Sequence, residues 1–103
     1  MELREVEERS KVIRQLYRAL EEKYHGSAWN LEEDALAFMT DAALVGRLTM
    51  DHVGRWPKTS EDDLAYKIGE SVWWLATLAE RTGLSLETCV QMFLEDKENT
   101  LQE

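Results

Sequence analysis

The stretch Ser60–Leu94, SEDDLAYKIGESVWWLATLAERTGLSLETCVQMFL, decides the fold. Ser60 followed by Asp63 has the form of a helix capping box, and the acidic Glu61-Asp62-Asp63 suits the positive end of a helix. Leu64, Ile68, Val72, Leu75 and Ala79 recur at helical spacing. Trp73, Ala76 and Leu78 widen that stripe until little polar circumference is left. Gly83 is placed for a left-handed cap, with Leu84 as its apolar contact. Ser85 then caps a further helix whose Leu86, Cys89, Val90, Phe93 and Leu94 face inward. These two helices are expected over residues 60–82 and 85–98. A helix as apolar as the first is covered on several sides, by its own chain or by a second subunit.

Working outward, residues 2–24 read as an amphipathic helix with Leu3, Val6, Ile13, Leu16, Tyr17, Leu20 and Tyr24 on its inner face. The Glu, Arg, Lys and Gln between them read as a solvated face with charge pairs at helical spacing. His25-Gly26-Ser27 ends this helix. Asn30 and Glu33 form a capping box for the next, expected over 30–53, with Ala35, Phe38, Ala42, Val45 and Leu48 along it. Gly54 and Pro57 stop it. The connection 54–59 carries Arg55, Trp56 and Lys58, and reads either as punctuation or as a segment folded over a site. Four helices, short connections and no strand pattern give an all-α four-helix bundle, one domain spanning 1–103.

The net charge of −9 repels phosphate backbones, so binding to nucleic acid polymers is not expected. One cysteine, Cys89, rules out an internal disulfide framework and points to a reducing compartment. No apolar run reaches the roughly 18 residues a membrane span needs. The N-terminus is charged from Glu2, unlike a secretory signal, so a cytoplasmic protein is expected. Four tryptophans in so short a chain supply apolar area that small helical proteins often hide between subunits.

No glycine-rich phosphate loop, zinc-spaced Cys/His cluster or nucleophile elbow is present, and His25 and His52 read as surface or cap residues. Chemistry is left to carboxylates inside apolar helices, which are costly unless paired or bound to a cation. Asp41 and Glu70 stand out, with Asp34 and Asp63 one or two turns away. Asp63, Lys67 and Glu70 share one face, continued by Trp74. One reading is an internal ion pair, Lys67 neutralising the acids beside it. The other is a variant metal site facing acids of the second helix.

The segment DLAYKIGESVWWLATLAERTGLSLETCVQMFLEDK resembles the third and fourth helices of MazG-like nucleotide pyrophosphohydrolases, with Trp73, Trp74, Leu75, Leu78, Ala79, Gly83, Leu84, Leu86 and Glu87 in the family frame. LEEDALAFMTDAALVGRLTM resembles the family's second helix, so the resemblance covers about residues 29–97. It implies an all-α MazG-like fold, a homodimer or higher homo-oligomer, and Mg²⁺-dependent cleavage of nucleoside triphosphates to monophosphate and pyrophosphate. Family metal ligands come as an E-x-x-E pair and an E-x-x-D pair. Those positions fall here on Asp41 and Leu44, and on Lys67 and Glu70. Asp41 and Glu70 are then the surviving metal and catalytic acids, with Asp34, Glu33 or Asp63 as substitutes reached by a shift of one turn. Leu44 cannot ligate a metal, and Lys67 puts a cation where a cation's ligand belongs.

Three functional readings follow. The first is a MazG-like pyrophosphohydrolase using Asp41 and Glu70. The second is a catalytically silent relative binding a nucleotide or small anion through Lys67, Arg55 and Lys58. The third is a helical partner-binding module.

Overall fold

The computed structural model describes residues 1–55 and 62–102, all-helical with four helices and no strand among them. They are α1 (Leu3–His25), α2 (Leu31–His52), α3 (Leu64–Arg81) and α4 (Leu86–Leu101). The caps explain most boundaries. Gly26, at φ 80°, closes α1 with its N–H on the Glu22 carbonyl. Asn30 accepts from the Glu33 N–H while the Glu33 side chain accepts from the Asn30 N–H, the reciprocal pair expected there. The Ser85 side chain accepts from the Thr88 N–H and starts α4.

The start of α3 differs from expectation. Its N-cap is Asp63, whose carboxylate accepts from the Ala65 N–H at 2.8 Å, and the helix begins at Leu64 rather than residue 60. A short acidic side chain at this point satisfies an amide that the first turn leaves open. The Ser60 cap, Trp56, Pro57 and the Lys58 phosphate contact lie outside the described residues.

α3 is the hub, packing against α1, α2 and α4, while the backbones of α1 and α2 stay apart. The molecule measures 54 × 39 × 25 Å with a radius of gyration of 16.2 Å. A closed domain of this length would have about 13 Å. The buried apolar side chains among the described residues are Leu48, Trp74, Ala76, Ala79 and Leu86. The Trp73–Trp74 band is packed largely within the chain: Trp74 is buried, and the half-buried Trp73 donates its indole N–H to the Ser10 carbonyl of α1 at 3.2 Å.

Large apolar surface is left elsewhere. Ile13, Leu16, Tyr17, Leu20 and Tyr24, expected on the inner face of α1, are exposed. What α1 buries instead is Ser10 and Arg14. The reason is polar: the Ser10 carbonyl takes the Trp73 indole, and Arg14 reaches an acid on α2. Phe93 and Leu94 of α4, also expected inward, are exposed as well. On α2, the exposed residues Leu36, Met39, Ala43, Gly46 and Met50, followed by Val53 just past the helix, alternate three- and four-residue steps. That is the spacing a helix-pairing seam uses, and the stripe is narrow at its centre where Ala43 and Gly46 sit.

Candidate functional site

Between α2 and α3 lies a half-buried polar cluster. Lys67 Nζ is 3.2 Å from Asp41 Oδ1 and 2.8 Å from Glu70 Oε1. The indole N–H of Trp74 donates to the other Asp41 oxygen at 2.7 Å. Helical geometry accounts for the assembly: Lys67 and Glu70 are one turn apart, Trp74 follows one turn on, and the α2–α3 packing brings Asp41 across. The hydrogen bond to Glu70, with the bond and charge of Asp41 adding to it, raises the Lys67 ammonium above its ordinary range; partial burial opposes this.

Two carboxylates against one ammonium leave the cluster with one net negative charge. The donors do not suit a Mg²⁺ ion. Both Asp41 oxygens already take N–H groups, and Lys67 holds a positive charge where the ion would need anionic oxygen. Among the described residues no group of three His, Cys, Asp or Glu side chains is placed to hold a metal. Leu44 adds no ligand.

The other acids named from the sequence are elsewhere. The Asp63 side chain serves as the α3 cap, and its residue meets Lys67 through the backbone, the Lys67 N–H donating to the Asp63 carbonyl. Asp34 is wholly buried in a second cluster with two guanidiniums. Arg14 Nη2 lies 3.0 Å from Asp34 Oδ1, and Arg81 Nη1 bonds Asp34 Oδ2. Arg14 also forks onto Glu21, at 3.0 and 3.3 Å. Glu21 Oε1 accepts from the Trp29 N–H at 2.7 Å, and Arg81 donates to the Trp29 carbonyl at 3.1 Å. Two arginines and two acids cancel, and their hydrogen bonds tie α1, the 26–30 connection, α2 and α3 together. Arg55 follows α2, its backbone N–H on the Met50 carbonyl.

A cavity of about 290 Å³ opens between α1, Trp29 and α3. Tyr17, Tyr24, Trp29, Trp73 and Trp74 supply ring surface, and Glu21, His25 and Glu70 supply two carboxylates and an imidazole. The Trp29 and Trp74 rings are parallel within 5°, with centroids 6.5 Å apart. Trp73 meets Trp74 edge-on at 4.6 Å, and Tyr17 tilts onto Trp73 at 5.5 Å.

Sequence reasoning missed Arg14, Arg81, Trp29 and Tyr17 as site-forming residues. The usable signal was Asp34: an acid on an apolar helix demands a cation, though nothing in the sequence says which one. Set against known proteins, the chain matches no family model, no curated protein and no solved structure.

Proposed function

We propose that this chain is a MazG-like helical binding module that self-associates and has given up Mg²⁺-dependent pyrophosphohydrolysis. One observation carries the reading: the Lys67 ammonium bonds both Asp41 and Glu70, the two acids on which metal-dependent cleavage would rely. A charge internal to the protein replaces the dication, and no water-activating centre is left at that point. Binding of a nucleotide phosphate by Lys67 is disfavoured for the same reason, since its charge is already outnumbered by carboxylates.

Self-association is supported by the small closed core, the extended shape and the unpartnered α2 seam. A second copy of the chain laid along Leu36, Met39, Met50 and Val53 would cover apolar side chains that one copy leaves in water.

Pyrophosphate release is the deciding measurement. Across a panel of ordinary and modified nucleoside triphosphates, with Mg²⁺ and with Mn²⁺, no turnover above the protein-free rate is expected. Metal-dependent turnover that disappears in Glu70→Ala would overturn the proposal and restore the hydrolase reading.

A further inference from the structure

We propose that the aromatic cavity between α1, Trp29 and α3 is a binding site for a small organic ammonium ion. The inference rests on reading the chain as a binding module, and it names the class of ligand.

Ring faces come first. A cation gains most over indole and phenol faces when water is excluded around it, and several rings converging on one cavity are how quaternary ammonium groups are recognised. Five aromatic side chains line this one. Trp74 is fixed by its indole N–H on Asp41 Oδ2 at 2.7 Å. Donation to an anion also makes the indole more electron-rich, which favours a cation on its face. Trp29 is held from its backbone, by Glu21 on its N–H and Arg81 on its carbonyl. Two anchored, parallel indoles are a preorganised recognition surface.

Charge supplies the sign. The cavity is lined by two carboxylates and by no lysine or arginine. Glu21 is spent on Arg14, but Glu70 gives only Oε1 to Lys67, and among the described residues nothing bonds its Oε2. That oxygen belongs to the cluster with one surplus negative charge. An anion such as a phosphate meets repulsion here, and a neutral apolar ligand leaves the charge unused. A cation carrying alkyl or aryl groups satisfies both the rings and the carboxylate. A volume of about 290 Å³ restricts it to a small molecule.

The test uses pairs that differ in charge alone. Choline is titrated against its uncharged isostere 3,3-dimethylbutan-1-ol, with phenyltrimethylammonium as an aryl probe. Tryptophan fluorescence and the probe's methyl proton resonance report binding. Saturable binding of at least one ammonium probe is expected, with the neutral alcohol bound at least tenfold more weakly. Glu70→Gln should weaken the ammonium probe at least fivefold and leave the alcohol unchanged; Trp29→Ala should remove binding of the ammonium probe. The titration is repeated in Gly46→Glu, which separates copies at the α2 seam, so that a cavity covered by a neighbour is also read. Equal affinity for choline and its isostere, or no saturation with either ammonium probe in both proteins, overturns the inference. Pyrophosphate turnover would overturn the binding-module reading by itself, whatever the choline titration gives.

Discussion

Lys67 of α3 and Asp41 of α2 are 26 residues apart in sequence, yet their charged atoms stand 3.2 Å apart in the half-buried space between the two helices. This bond crosses the most extensive helix contact in the fold. It therefore serves packing and chemistry at once: it neutralises an acid the interface would otherwise have to hydrate, and it removes that acid from metal binding.

Removing the cation should be costly. Lys67→Met leaves Asp41 and Glu70 facing one another without compensation, and a loss of about 3 kcal/mol is expected for an interior pair broken on one side. Urea unfolding of the two proteins measures it. The effect also has a pH signature. The folded protein raises the Lys67 ammonium above its ordinary value of 10.5 through Glu70 first, so the charged form favours folding. The difference between wild type and Lys67→Met is then constant through neutral pH up to about that ordinary value, and shrinks as pH climbs beyond it. A difference that stays undiminished as pH climbs well beyond that ordinary value would contradict the assignment.

Asp34 is more demanding still. It is fully buried, with Arg14 only 3% exposed beside it. Asp34→Ala takes the shared acid from two guanidiniums, leaving the buried Arg14 on Glu21 and Arg81 on the Trp29 carbonyl, and should lower stability by about 3 kcal/mol. Thermal and urea unfolding give the value. A loss under about 1 kcal/mol, the scale of an exposed pair, would show that the arginines find water.

Thr77 runs the other way. Its side chain is 3% exposed, and among the described residues its hydroxyl has no hydrogen-bond partner. Thr77→Val keeps the shape and deletes the unsatisfied group, for an expected gain of about 1 kcal/mol. A loss of stability on unfolding measurements would mean the hydroxyl is bonded through water.

Gly46 probes assembly. A Cβ added at this exposed glycine meets nothing within 4 Å, so the single chain leaves room for a side chain to start there. Gly46→Glu should leave helicity intact and, by sedimentation, lower the mass of the particle to that of one chain. An unchanged oligomer would move the contact away from the α2 seam.

Helix identity was legible in the sequence because it is written locally. The Asn30/Glu33 box, Gly26 and Ser85 each act within a few residues of themselves, and each performs as its chemistry dictates. Which face is buried was not. The periodicity of Ile13, Leu16, Tyr17, Leu20 and Tyr24 identifies an apolar stripe but not what covers it, and within one chain that stripe stays open. Arg14 shows the converse, since a charged residue reads as solvated until the acid that buries it is located 20 positions away. The Lys67–Glu70 pair lay within one helical turn and could be read. Asp41, Trp29 and Tyr17 reach their partners only through the docking of helices, where sequence spacing is silent.

The run of rings Tyr17, Trp73, Trp74 and Trp29 also sets how this molecule handles light. At these separations and fixed mutual angles the indole transitions couple, so absorbed energy is shared along the row rather than held by single residues. Ellipticity in the peptide region will then contain an aromatic couplet on top of the helical bands. Helix content read from ellipticity alone will miss the true value, and the Trp29–Trp74 share of the couplet becomes a gauge of whether the 26–30 connection remains packed on α3.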